Sequence, residues 1–350
     1  MEVPKMNNTV PMDEIIASEP ASQCYLCGEN GVMLYEGLPD QLYGTPGSWN
    51  LKRCPNPECG LVWLDPMPSK EDIWKAYKTY FTHGGAPDIS RQYINLPDRF
   101  AAKVCRFCYK ILMRATIWRK QEKEWRVKSD SMFLGSGIPG SRHLLDVGCG
   151  KGDFMARMHR QGWEVEGLEV DAEAVKYVRS ISDLTVHIGS LENIRFPDNT
   201  FDAITSNHVI EHVHDPISLI RECLRILKPG GRLVLATPNI ESFGHDIFER
   251  NWTHLDPPRH LRLFTMKALR ECAVRAGFPS INVWSPPGYA EGSLQASIDR
   301  KNKIKGKRRS ETSRCLEASS LKLRAYYRFF IKKEEKIGDE IFLMAIKDVQ

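Results

Sequence analysis

The feature that most constrains this chain is the run His143-Leu144-Leu145-Asp146-Val147-Gly148-Cys149-Gly150-Lys151-Gly152-Asp153-Phe154. A short apolar stretch ending in an acid, then three glycines on alternate positions, predicts a buried parallel strand turning sharply into a helix. Glycine suits such a turn because the backbone must take positive φ and lie against a ligand with no Cβ in the way. A dinucleotide fingerprint, G-x-G-x-x-G, would set a pyrophosphate on the helix N-terminus. Here the third glycine comes one residue early, and Asp146 stands two residues before the first. A carboxylate at that point repels phosphate and suits an ammonium group. The ligand implied is a nucleoside with a cationic, amino-acid-like tail.

The downstream spacing agrees. Trp163 to Asp171 reads as a second strand with Glu169 at its carboxyl end, 21 residues after Gly148, where an acid can take both hydroxyls of a ribose. Val186-His187-Ile188-Gly189-Ser190-Leu191 follows, then the run Phe196 to Ile204, then Leu227 to Asn239 as a tight turn and a fifth buried strand. With these four motifs in order, residues 141–285 resemble the class I S-adenosylmethionine-dependent methyltransferases. The resemblance implies an α/β fold with a Rossmann-like seven-stranded sheet. It also implies S-adenosyl-L-methionine bound across Asp146, Gly148, Cys149, Gly150, Gly152, Glu169, Val170, Ser190, Leu191 and Asn207. Ser190 departs from the family, which usually has an acid facing the adenine amino group. A serine accepts more weakly and leaves the Leu191 amide to share adenine recognition.

Ten cysteines in a chain with no run of 18 apolar residues, and no apolar core in residues 1–9, suggest thiols or metal ligands in a cytosolic setting. Cys24-x₂-Cys27-Gly28 and Cys54-x₄-Cys59-Gly60, separated by 26 residues, have the pattern of a tetrahedral zinc–thiolate site. With no open position, the zinc at Cys24, Cys27, Cys54 and Cys59 is expected to be structural; the alternative is reduced core cysteines. Leu61 to Pro68 resembles the exit from the zinc ribbon in methyltransferases of sugar and cell-envelope pathways. Cys105 and Cys108 lack a partner pair and fall in a helical pattern, so a packing role is expected. The organisation that follows is a flexible N-terminus at 1–20 and a zinc ribbon at 21–65. A helical linker spans 66–140, the cofactor-binding core 141–288, a basic insertion or lid 289–339, and a closing edge strand 340–350.

The net charge of +5 is unevenly spread. Residues 99–128 hold ten Lys or Arg against two Glu, and residues 300–333 hold thirteen against two, so the remainder of the chain is acidic. The first segment has an amphipathic helical pattern, its apolar face expected to pack on its own domain; the alternative is an anionic membrane surface or an anionic substrate. Arg300 to Ser310 reads as a solvated loop. Arg- and Lys-rich segments also neutralise nucleic-acid phosphates, but no base-reading module accompanies them, so nucleic acid is set aside as a partner. The expected location is cytoplasmic, with peripheral contact at the inner membrane surface as an option.

Acceptor groups should come from loops at the carboxyl ends of strands four and five. The first such segment, Asn207 to Pro216, contains His208-x-x-Glu211-His212, which matches an inverted zinc-peptidase pattern. Its place between a strand and Asp215-Pro216 argues for a loop instead of the mid-helix site a peptidase needs. The segment also resembles ubiquinone-biosynthesis O-methyltransferases, some of which hold a divalent metal near an acid at the position of His208. A histidine there weakens the case for magnesium, which prefers oxygen ligands. The second segment, Arg250 to Leu261, carries His254 and His260 and resembles the same subgroup. His208, His254 and His260 are therefore the candidate catalytic residues, against the alternative that they hold their loops to the core. The expected activity is methyl transfer to a small-molecule hydroxyl of a sugar, lipid-linked or secondary-metabolite acceptor. A sugar C-methyltransferase, or a non-catalytic cofactor-binding or nucleic-acid-associated protein, are the alternatives.

Overall fold

The computed structural model describes residues 15–78, 101, 103–104, 124–125, 128–134, 141–286, 291–304, 310–330 and 332–349. Most of the basic 99–128 stretch, including Cys105 and Cys108, lies outside them, as do residues 1–14 and 305–309.

The N-terminal part is built on short strands: β1 (Ser18–Glu19), β2 (Val32–Leu38), β3 (Trp49–Arg53), β4 (Val62–Leu64) and β5 (Met67–Pro68). A seven-stranded sheet follows, from β6 (His143–Val147), β7 (Glu164–Glu169), β8 (Thr185–Ile188), β9 (Phe201–Asn207), β10 (Leu227–Pro238), β12 (Ser280–Trp284) and β13 (Glu340–Ile346). The intervening β11 (Arg262–Leu263) belongs to the N-terminal sheet. The large sheet runs β12-β13-β10-β9-β6-β7-β8; β10, β9, β6, β7 and β8 pair parallel, and β13 is antiparallel to both neighbours. That order is the Rossmann-like arrangement the glycine loop implied.

The sequence explains the elements. β9 and the second half of β10 are buried along nearly their whole length, as strands covered on both faces must be. Helix α1 (Asp153–Arg160) starts from the glycine loop, and α2 (Ala172–Ile181) is capped by Asp171 accepting from the Glu173 amide. Asp215 caps α3 (Pro216–Ile226), with proline at the first position where no amide is needed. Thr265 and Gly277 bound α5 (Met266–Ala276), after the short α4 (Phe243–Phe248). Two longer helices, α6 (Glu291–Ile304) and α7 (Glu311–Phe330), form the insertion.

Three expectations need correction. The strand at 340–346 is not at the edge: β13 lies between β10 and β12, and β12 takes the edge. A long apolar strand such as Glu340–Ile346 is better buried between two neighbours than left with an open row of amides. The ribbon at 21–65 is not self-contained either. β11, from the loop after α4, extends its sheet in the order β11-β4-β3-β2, and β1 pairs with β5 beyond the predicted boundary. Leu26, Leu61 and Trp63 belong to the same apolar core as Leu145, Ile204 and Leu269. Finally, residues 300–304, read as loop, continue α6. The Lys301 ammonium lies over the Phe248 ring, and the Arg324 and Arg328 guanidinium groups lie over Phe243, so part of the basic insertion meets the core through cation–π contacts.

Candidate functional site

The strand order reverses between β6 and β9, and a large cavity opens at the carboxyl ends of these strands, as open α/β sheets favour. Its volume is about 1520 Å³. Every cofactor residue expected from the sequence except Gly152 lines it: Asp146, Gly148, Cys149, Gly150, Glu169, Val170, Ser190, Leu191 and Asn207. Gly152 serves the fold instead. It precedes α1 at φ 77°, and an added Cβ would meet the Val178 side chain of α2 at 3.1 Å. Gly148 has a different reason again, since a Cβ there would lie 2.3 Å from Val209 Cγ2. Of the three loop glycines, Gly150 is the one where a Cβ would meet open space.

Asp146 is buried at the end of β6 and accepts a hydrogen bond from Thr205 Oγ1 on β9 at 2.7 Å. Burial raises its pKa to about 7, the Thr205 hydrogen bond opposing that rise. A neighbouring ammonium would favour the carboxylate form. Glu169 ends β7; its carboxylate accepts from the amides of Gly150 at 2.9 Å, Val170 at 2.8 Å and Asp171 at 3.0 Å. The carboxylate therefore ties the glycine loop to the second strand as well as facing the cavity.

His208 follows β9, the neighbour of β6, with φ 54°, and its two ring nitrogens lie 3.0 Å from Glu211 Oε1 and 2.8 Å from Glu340 Oε1. Burial would lower its pKa, but the hydrogen bonds and charges of Glu211 and Glu340 outweigh it and push it up to about 10. His208 is thus a cation with both nitrogens donating, not a ring with a lone pair to offer. Glu211, fully buried, accepts from His208 and from Thr237 Oγ1, and these partners hold it well below the usual carboxylate range despite burial.

His254 sits in a single turn, Thr253–Leu255, on the cavity wall. Its ring stacks 5.9 Å from that of His208, at 14°, and meets Trp252 edge-on. Among the described residues no hydrogen bond occupies its ring nitrogens. Burial, helped by the charge of His208, lowers its pKa well below the ordinary histidine value. His260 donates from Nδ1 to the His254 carbonyl at 2.7 Å, and burial lowers its pKa to about 4. The structure therefore brings the three histidines together while separating their states: one cation, one neutral ring facing the cavity, one neutral ring holding the loop.

Two clusters have the donor atoms for a metal. The Sγ atoms of Cys24, Cys27, Cys54 and Cys59 converge within 4.8 Å of one another, held by two knuckle turns whose amides bond back to Cys24 and Asn56 carbonyls. Four thiols in closed array fit a tetrahedral zinc ion. Glu211, His212 and His260 also converge within 4.8 Å, but both Glu211 oxygens already have protein donors, and cationic His208 supplies the positive charge.

Sequence reasoning missed the far wall of the cavity. Leu42, Tyr43, Ile73, Trp74 and Tyr77 of the N-terminal part line it, with Ser293 and Ala296 of α6. Nothing local in residues 40–77 marks them, because their role depends on where the ribbon docks.

Residues 117–282 match the family model described as "Methyltransferase domain". A ubiquinone biosynthesis O-methyltransferase of Xanthomonas campestris pv. campestris is 37% identical over 119 residues, 32% of this chain and 49% of that protein. A demethylmenaquinone methyltransferase of Bacillus licheniformis is 33% identical over 140 residues, covering 38% and 59%. The chain thus spans about half the length of the relatives it matches. Among solved structures, a Haemonchus contortus phosphoethanolamine N-methyltransferase 2 with S-adenosyl-L-methionine matches at TM-score 0.42 and 20% identity, over 64% of this chain and 53% of that one.

Proposed function

From a chain that carries a methyltransferase domain, we propose the following activity: transfer of the methyl group of S-adenosylmethionine to a hydroxyl of a small-molecule acceptor, with His254 as general base. The observation that carries this reading is the imidazole of His254 on the wall of the cavity that Asp146 and Glu169 also line, its ring nitrogens without a hydrogen bond among the described residues and its pKa lowered by burial. When bound, S-adenosylmethionine supplies a methyl group on a sulfonium sulfur that is its own leaving group. Glu169 would accept hydrogen bonds from its ribose hydroxyls, Asp146 would face its ammonium group, and Ser190 and Leu191 would border its adenine. Holding the acceptor oxygen in line with the methyl carbon is the larger part of such catalysis. His254 would take the proton of the acceptor hydroxyl as the methyl group leaves the sulfur for the oxygen.

His208 is assigned a different task from the one its sequence position suggested. As a cation between Glu211 and Glu340, it orders the loop after β9 and keeps His254 neutral by its charge. The ubiquinone biosynthesis O-methyltransferase among the relatives favours an aromatic or secondary-metabolite hydroxyl over a sugar. The apolar far wall of Leu42, Tyr43, Ile73 and Trp74 supports the same preference. The cysteine array would hold a structural zinc.

Calorimetry with S-adenosylmethionine and its demethylated product should show binding by the wild-type protein. Glu169→Ala should weaken it by about 2–3 kcal/mol, the worth of two hydrogen bonds to a charged acceptor. Incubation with labelled cofactor and a small-molecule extract should yield a labelled product identified by mass spectrometry. His254→Ala should cut that turnover by roughly 10²–10⁴-fold. Wild-type affinity in Glu169→Ala would reject the cofactor site; label in RNA or protein would reject the small-molecule acceptor.

A further inference from the structure

We propose that Arg259 is a positioning residue for the acceptor side, its guanidinium locking the N-terminal part, the Ile73–Tyr77 turn and the His254 loop into one wall of the cavity. This rests on the functional reading above, since it concerns the wall that would face the acceptor.

Arg259 is among the largest fully buried side chains of the protein, at 0% exposure. Its fork meets two carboxylates at once. Toward the N-terminal part, Nη1 and Nη2 donate to Asp40 Oδ2 and Oδ1 at 2.7 and 2.8 Å. Toward its own loop, Nε and Nη2 donate to Asp256 Oδ2 and Oδ1 at 3.0 and 2.6 Å. Nη1 also donates to the Ala76 carbonyl at 3.1 Å, and the guanidinium lies 4.5 Å from the centre of the Tyr43 ring.

Each contact leads to a residue of the wall. Asp40 organises its own loop by accepting from the Leu42, Tyr43 and Thr45 amides, which sets Leu42 and Tyr43 against the cavity. Ala76 lies between Trp74 and Tyr77, which also face it. Asp256 ends the turn that carries His254, in the left-handed region at φ 32°, and its carbonyl accepts the amides of Arg259 and His260. The Arg259 carbonyl lies 3.0 Å from His212 Nδ1, the same nitrogen that Tyr77 Oη approaches at 3.0 Å.

A buried cation between two carboxylates is a poor way to gain stability alone, because three charges lose their hydration. What the arrangement does supply is orientation. Two bidentate contacts and one carbonyl contact fix one plane, and that plane joins three segments far apart in the chain. Lysine, a point charge without the fork, could keep the charge and lose that registration.

The test compares wild type with Arg259→Lys, and with Asp40→Asn as the milder variant that leaves the Asp256 contact intact. In both, hydrogen exchange followed by mass spectrometry should show faster exchange in residues 40–45, 73–77 and 252–261 together. The glycine loop at 146–152 should keep its protection, and the calorimetric affinity for S-adenosylmethionine should stay within twofold. Turnover of the extract's acceptor at saturating cofactor should fall tenfold or more. A variant that is folded and binds cofactor, yet shows wild-type exchange in those three segments, would overturn the proposal; so would faster exchange spread evenly over the whole chain. If the wild type itself binds no cofactor, the methyltransferase reading fails, and the exchange pattern still decides whether Arg259 registers the three segments.

Discussion

At the scale of single residues, the site depends on histidines of one type held in opposite states. His208 lies between Glu211 and Glu340 and is pushed up to about 10, whereas burial drives His254 and His260 down. The consequence for stability has a definite sign. His208 has a folded-state pKa above its unfolded one, so its contribution is fully present below about 6.5 and is lost as pH rises through about 10. Urea unfolding of the wild type should therefore show falling stability between those values, and His208→Gln should flatten that stretch of the profile. A wild-type profile with the same slope as the variant would reject the cationic assignment. Activity should respond differently: His254, with its lowered pKa, is already neutral at pH 7, so turnover measured against pH should reach its plateau below the ordinary histidine value of 6.5. The sequence showed that these histidines sit in loops after the fourth and fifth parallel strands. It could not show which would be a cation, because Glu340 lies 132 residues from His208 and reaches it only through β13.

At the scale of elements, the cysteine-bearing turns and the glycine loop were legible, whereas the edge of the large sheet was not. The turn into α1 was readable because it is local: an apolar strand, an acid and three spaced glycines impose one backbone path. The cysteine spacing was equally local, and the four Sγ atoms do converge. Metal analysis of purified protein should find about one zinc per chain, lost when Cys24→Ser and Cys54→Ser are combined. Protein made with zinc supplied and containing none would reject the zinc assignment and leave the methyltransferase reading intact. The edge of the large sheet was not readable. β12 and β13 are both of plausible strand length, and which one lies inside depends on their pairing with β10 and each other.

At the scale of the whole molecule, the N-terminal part and the large sheet share one apolar core. Trp63, almost fully buried, donates from Nε1 to the Ala21 carbonyl and shares a core with Leu145 and Leu269. Tyr25 donates to Asp215, the cap of α3, at 2.5 Å, and Thr265, the cap of α5, donates to the Cys59 carbonyl at 2.6 Å. Scanning calorimetry should accordingly give one unfolding transition for the zinc-loaded protein. Trp63→Ala, which removes a large buried side chain at a cost of about 3–5 kcal/mol, should move that whole transition down. Two separate transitions, with only one moved by the substitution, would show an independent module instead. The amino-acid sequence by itself determined the parallel sheet, the sharp turn with Asp146 and Glu169 beside it, and the spacing of four thiols, because each rests on periodicity, backbone freedom or ligand count within a short window. Only the tertiary structure decided the acceptor wall, the charge on His208 and the place of Arg259, because each depends on burial and on partners brought from distant segments, and burial is a property no short window contains.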